Sequence, residues 1–283
     1  MILSATRSVY QFSERFFPVR GRYRLLNYIC RLLISDSDRI IALAGTEASV
    51  YTRYSDAVER SVMLTGVWEP AETKLFEKNV KTGMTILDIG AHAGIHSVRL
   101  ASLAGASGMV YAFEPGPAKH RWKQNQSLNP QLKMTLIECA LGENDGVAEI
   151  HTGASGVGCM LEGQRKAELD AGESVISESI PVRTLDGVWE ELGRPNIGFI
   201  KMDIEGYEYK ALLGASRVLE SSRPIICFEF SQVYADMQGI TYRNLHSLLT
   251  RHGYRIETLP GTPVDADAAF SATANLDLVA YPQ

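Results

Sequence analysis

Residues 85–103 read TILDIGAHAGIHSVRLASL. The first five form a short, mostly apolar run of strand length, the glycine-flanked loop GAHAG follows at 90–94, and 95–103 have helical spacing. Strand, glycine loop and helix open an α/β unit, and the loop falls at the carboxyl end of the strand, where doubly wound sheets bind ligands. Outward from this point, apolar runs at 109–113, 132–140, 181–185, 197–202 and 224–230 alternate with helical stretches at 69–80, 116–128, 186–192, 207–219 and 245–251. Strands that are apolar throughout, separated by helices, imply a parallel sheet covered on both faces. The runs 254–259 and 276–281 are joined by a Pro-, Asp- and Ala-rich loop without helical spacing, so the last pair is expected to be antiparallel. The expected fold is α/β and Rossmann-like: a mainly parallel, doubly wound, seven-stranded sheet with one antiparallel strand near the C-terminus. Residues 40–44 and 61–65 read as strands of a preceding element, 147–151 as a further short strand, and the glycine- and serine-rich stretch 153–174 as a mobile loop.

The chain has 283 residues, 45% hydrophobic and 22% charged, ordinary values for a globular protein. Its net charge of -5 argues against nucleic acid as a partner, because phosphate contacts need clustered Lys and Arg. Cys30, Cys139, Cys159 and Cys227 form no CxxC pair and read as reduced thiols of a cytoplasmic protein. No secretory signal and no run of 18 apolar residues is recognisable. Residues 1–39 carry seven arginines against Glu14, Asp36 and Asp38, interleaved with apolar residues. Residues 1–45 are expected to be a basic helical extension that either packs on the domain, joins two copies in a homo-oligomer, or makes a peripheral membrane contact. Residues 46–283 are expected to form the catalytic domain, with 46–80 as its lead-in.

The loop after the first strand is expected to hold a cofactor. A dinucleotide enzyme needs GxGxxG there to seat a pyrophosphate. Here Gly90 and Gly94 lack the middle glycine, and Asp88 stands ahead of them. That pattern suits S-adenosylmethionine, which has no phosphate. Asp88 could hold its ammonium directly or through water, and the N–H groups of Gly90, Ala91 and the rest of the loop its carboxylate, with Gly94 letting backbone and ligand approach closely. Glu114, before Pro115 at the end of the second strand, could accept both ribose hydroxyls. Cys139 and Ala140, ending the third, would line the adenine. The bland alternatives are a capping Asp88, a solvated Glu114 and a Cys139 that is simply core.

LDIGAHAGIHSVRLA (87–101), YAFEP (111–115), ECALGENDG (138–146), VRTLD (182–186) and IKMDIEGYEYKALLGA (200–215) together resemble the FkbM-type methyltransferases, over roughly residues 60–260. The resemblance implies a Rossmann-like methyltransferase fold, S-adenosylmethionine as donor, and methylation of an oxygen, commonly a hydroxyl of a sugar or polyketide. Trp68 and Glu69 resemble the family's lead-in to the cofactor site and could touch substrate or cofactor.

Asp203, Glu205 and Glu208 follow a buried strand at its ligand end. Glu208 reads as a helix N-terminal acid. Asp203 or Glu205 could accept the proton of a hydroxyl, or the pair could bind a divalent cation such as Mg that lowers its pKa. His92 in the loop is a third candidate base. Glu229 lies in the apolar run CFEF and needs a partner, either an acceptor hydroxyl or an arginine. The expected activity is O-methylation of a small-molecule or glycan acceptor such as a sugar, glycolipid or polyketide. The alternatives are an NAD-type oxidoreductase and a non-catalytic protein that keeps the fold to bind a partner.

Overall fold

The computed structural model describes residues 34–152, 158–159, 175–268, 270–271 and 273–283. The arginine-rich residues 1–33, and the stretch 153–174 apart from 158–159, lie outside the described residues.

A hairpin opens the described chain, with β1 (Arg39–Ala42) antiparallel to β2 (Ser49–Thr52). Then come α1 (Ala57–Thr65), α2 (Pro70–Asn79), β3 (Thr85–Ile89), α3 (Ile95–Ala104), β4 (Met109–Phe113), α4 (Lys119–Leu128) and β5 (Met134–Ile137). The strands β6 (Ala140–Leu141), β7 (Gly146–Thr152), β8 (Gly158–Cys159) and β9 (Ile176–Arg183) make a separate four-stranded sheet. The chain returns through α5 (Leu185–Glu191), β10 (Ile197–Met202), α6 (Glu208–Leu213), α7 (Ser216–Ser221), β11 (Ile225–Ser231), α8 (Gln232–Gln238), α9 (Tyr242–Arg251), β12 (Tyr254–Thr258) and β13 (Asn275–Pro282).

The seven-stranded sheet has the order β12-β13-β11-β10-β3-β4-β5. Its contacts are parallel except along β13, which runs antiparallel to both β11 and β12. The expected mainly parallel sheet with a single reversed C-terminal strand is therefore the observed one. The order turns back between β3 and β10, since β4 continues on one side of β3 and β10 returns on the other, so the switch point is the crevice above these two strands. Apolar cores fill both faces: Leu87, Ile89, Ile200 and Phe228 on one, Phe76, Ile86, Phe199 and Trp122 on the other. Fully burying one such side chain contributes about 1.5–3 kcal/mol.

The hairpin is bonded to the domain by named side chains. Asn125 on α4 accepts from the Tyr51 amide at 2.7 Å, and Asn129 accepts from the Ser49 amide at 3.0 Å. The buried Arg99 guanidinium on α3 donates to the carbonyl of Ala44 at 3.0 Å. Among the described residues no helix is long and apolar enough to cross a membrane.

Several local readings need correction. Residues 61–65 are not a strand but the last turns of α1, which Asp56 caps by accepting from the Glu59 amide and which ends at left-handed Gly66. The run 132–140 divides between the main sheet (β5) and the small one (β6). The helix expected over 207–219 breaks into α6 and α7 at Gly214, where a Cβ would stand 2.2 Å from the carbonyl oxygen of Gly142.

Candidate active site

A cavity of about 310 Å³ opens over the carboxyl ends of β3, β4, β10 and β11. One end is largely apolar, lined by Phe113, Cys139, Ala140, Leu141, Ile150 and Ile180. The last two come from β7 and β9, so the small sheet roofs this end. The other end is charged, lined by Glu69, His96, Lys201, Asp203, Glu205 and Glu229. Glu114, Pro115, Trp68 and the loop 90–93 also line it.

Of the expected cofactor residues, Gly90, Ala91, Glu114, Pro115, Cys139 and Ala140 line this cavity. Glu114 is 9% exposed and held at both oxygens, accepting from the His92 amide at 2.9 Å and from the Gly116 amide at 2.7 Å. Burial pushes its carboxyl above the usual range against those two bonds and the charge of His92. Burial likewise pushes the Cys139 thiol up to about 11, which keeps it neutral.

Asp88 and Gly94 are placed elsewhere. Neither lines the cavity. The Asp88 side chain is fully buried and accepts from the Ser97 hydroxyl, which itself accepts from the Trp122 indole at 2.9 Å. A Cβ on Gly94 would meet the Trp122 ring at 2.5 Å, so this glycine serves the packing of α3 on α4 rather than a ligand's approach. The loop N–H groups are also engaged within the protein. Those of Gly90 and Ala91 both donate to the Phe113 carbonyl at 3.0 Å, that of His92 to Glu114, and that of Gly94 to the Ala91 carbonyl at 2.8 Å.

The three candidate bases, His92, Asp203 and Glu205, all line the cavity. The Lys201 ammonium, 3% exposed, lies 3.3 Å from Asp203. Burial opposes the charge on Lys201, but the nearby acids, Asp203 foremost and Asp88 and Glu69 with it, outweigh it and hold the ammonium charged. Burial and the neighbouring Asp203 push the Glu205 carboxyl up, against a hydrogen bond from Tyr234. Asp203 and Glu205 are poorly placed to share a divalent cation, because a buried ammonium already stands against Asp203. Glu229 has Asn275 as partner, at 2.7 Å, instead of an arginine. Burial and then Asp203 push it up to about 8. Glu208 accepts from the Ile204 amide at 2.9 Å, a turn-stabilising role that agrees with its reading as a helix-terminal acid.

Two side chains that sequence reasoning missed, Lys201 and His96, complete the charged end, and a third, Glu72, is buried behind His96. His96 on α3 lies 2.8 Å from Glu69 and 3.3 Å from Glu72 on α2. Their ligand atoms converge closely enough for a metal ion. Burial drives Glu72 up to about 9, where it stays protonated at neutral pH. For Glu69 burial is outweighed by the hydrogen bond and charge of His96 and by Lys201, and its carboxyl falls to about 2. Non-glycine residues with positive φ are costly and concentrate at functional sites. Among the described residues there are five, and Glu69 (φ 45°), His92 (φ 48°) and Glu205 (φ 54°) are the three that line the cavity.

The methyltransferase FkbM domain family matches residues 88–256, more than half of the chain. Among curated proteins, 2-O-methyltransferase NoeI of Sinorhizobium fredii is 28% identical over 154 residues, which cover 50% of this chain and 62% of that protein. AMB antimetabolite synthetase AmbE of Pseudomonas aeruginosa is 28% identical over 206 residues, covering 60% of this chain and 9% of the synthetase. The chain thus spans about three fifths of the first relative and under a tenth of the second. Among solved structures, methyltransferase FkbM from Methylobacillus flagellatus is similar at 19% identity and a TM-score of 0.43, covering 81% of this chain and 53% of that one. With the match running from the end of β3 through the glycine loop, the acids after β4 and β10 and the C-terminal helices, the chain belongs to the FkbM methyltransferase family.

Proposed function

We propose that the chain is an S-adenosylmethionine-dependent O-methyltransferase whose acceptor is a hydroxyl of a sugar, glycolipid or polyketide-like small molecule. The observation that carries this reading is one cavity at the sheet's switch point that joins an apolar end, a pinned Glu114 and an acid-rich end. The residues fit that donor. Glu114, its orientation fixed by two amide N–H groups, offers acceptor lone pairs to vicinal ribose hydroxyls. Phe113, Cys139, Ala140, Leu141, Ile150 and Ile180 give an adenine ring an apolar slot.

Bound there, S-adenosylmethionine supplies a methyl group on a sulfonium, already activated for displacement. The protein's part is alignment and proton management. Asp203 accepts the proton of the acceptor hydroxyl while Lys201, 3.3 Å away, steadies its carboxylate. Glu229, at about 8 and so largely protonated at neutral pH, gives a hydrogen bond that orients the acceptor, and Glu205 lines the same end of the cavity. A 2-O-methyltransferase among the relatives supports oxygen as the methylated atom.

The test is incubation of the protein with methyl-labelled S-adenosylmethionine and extracts of the source organism, with Asp203→Asn alongside. Label on a hydroxyl of an extracted small molecule or glycan, absent with the variant, is expected. Label transferred equally by Asp203→Asn would remove Asp203 as the base.

A further inference from the structure

We propose that Glu69, aimed by His96, holds the ammonium of the cofactor's amino-acid end, a task that the position of Asp88 near the carboxyl end of β3 would otherwise suggest for Asp88. This rests on the reading of the cavity as an S-adenosylmethionine site. Along the sheet order β5-β4-β3-β10, Glu114 stands at the end of β4, and the apolar slot lies on the β5 side of it. With ribose at Glu114 and adenine in that slot, the amino-acid end must run the opposite way, over β3 and β10.

An ammonium there needs a carboxylate that reaches the cavity and stays ionised. Asp88 is fully buried outside the cavity lining, with the Ser97 hydroxyl on one oxygen. The N–H groups of Gly90, Ala91, His92 and Gly94 donate within the protein, and an N–H donor cannot receive an ammonium in any case. Asp203 faces Lys201, Glu205 beside it is bonded by Tyr234 and pushed up by burial and Asp203, and Glu229 lies one strand further, on β11, with Asn275. Glu69 remains. It lines the cavity, is a third exposed, and stands 2.8 Å from His96 on the helix that follows the loop. It occupies the strained left-handed region at φ 45°, outside any glycine turn, at the N-cap of α2 without capping it by a side-chain hydrogen bond. A strained cap residue that does not cap, but is held by a buried histidine toward a cavity, is one whose carboxylate is kept in place for another purpose. Glu72, buried behind it, does not line the cavity, so of this pair only the Glu69 carboxylate reaches the ligand.

Two defined compounds test this without knowledge of the acceptor. S-adenosylhomocysteine carries the amino-acid end, and 5′-methylthioadenosine lacks it. Calorimetric titration of the full chain is expected to show both binding to wild type. In Glu69→Gln the affinity for S-adenosylhomocysteine should fall about tenfold to a hundredfold, the range for losing a charge-assisted hydrogen bond, while that for 5′-methylthioadenosine stays within about twofold. Glu69→Asn, which suits a left-handed backbone, is the second variant and should behave the same way if Gln disturbs folding. Unchanged S-adenosylhomocysteine binding in both variants, or equal loss of both compounds in both, overturns the assignment. So does the same selective loss in Asp88→Asn with none at Glu69. Failure of both compounds to bind wild type would instead reject the cofactor reading on which it rests.

Discussion

A Cβ built on Gly90 would stand 1.8 Å from the carbonyl oxygen of Asp203. The two loops that carry the cofactor motif and the acidic motif thus touch backbone to backbone above β3 and β10, and the Asp203 amide returns a bond to the Ile89 carbonyl at 3.0 Å. Gly90 also has φ 80°, a region that costs an L-residue about 1–2 kcal/mol. Both demands fall on one residue because the switch point needs both loops in the same space.

Gly90→Ala is therefore expected to cost more than about 2 kcal/mol of stability, since neither backbone can yield, and to lower affinity for S-adenosylhomocysteine. Gly239→Ala, with φ 63° but nothing within 4 Å, should cost only the backbone term of about 1 kcal/mol. Urea denaturation of the two variants measures the difference. Equal costs would contradict the close approach.

Ser97→Ala should destabilise the fold by about 1–3 kcal/mol, because the buried Asp88 carboxylate loses its hydroxyl donor and the Trp122 indole its acceptor. Affinity for 5′-methylthioadenosine should change little, as none of the three lines the cavity. A selective loss of that affinity with stability intact would place Asp88 back in the site.

Stability should fall as pH rises through the neutral range, and Glu72 should be a main cause. Its carboxyl sits at about 9 in the fold against 4.5 in an unfolded chain. Below pH 4.5 both states hold the proton and there is no difference. Above it the unfolded state releases the proton while the fold retains it, so the native state loses ground until about pH 9. Glu229, at about 8, adds in the same direction. Glu69 acts oppositely and lower down: its depressed carboxyl stabilises the fold above 4.5, and this is lost as pH falls toward 2. Glu72→Gln should flatten the slope, matching wild type at pH 4 and exceeding its stability at pH 8. Parallel slopes for the two proteins in denaturant titrations across that range would contradict the burial of a protonated Glu72.

The sheet was legible because its strands are bounded apolar runs, and a parallel sheet buried on both faces requires that composition. Residues 197–202 were placed without error, since IGFIKM is apolar between polar flanks. Residues 61–65 were not, because SVMLT is as apolar as a strand, and only Asp56 and Gly66 mark it as helix. The helix α8 went unread because it begins directly after β11, with no loop residues to announce it. In the site, Glu114 and the acids after β10 could be located from strand ends alone. The Glu69–Glu72–His96–Lys201 group could not, since α2, α3 and β10 meet only in the fold. One signal was present: Lys201 is a charge inside an apolar strand, the same anomaly that drew notice to Glu229. Asp88 stands out for the reverse reason. Its motif position is that of a ligand-binding acid, and only the packing of Ser97 and Trp122 reveals where its carboxylate goes.

The proposed cofactor site is a cavity built around Glu114 for S-adenosylmethionine. Calorimetric titration of S-adenosylhomocysteine and of NAD into wild type and Glu114→Gln tests it most directly. Saturable one-site binding of S-adenosylhomocysteine, weakened about tenfold or more by Glu114→Gln, and no binding of NAD are expected. Binding of NAD without S-adenosylhomocysteine, or binding of S-adenosylhomocysteine that Glu114→Gln leaves unchanged, would contradict it.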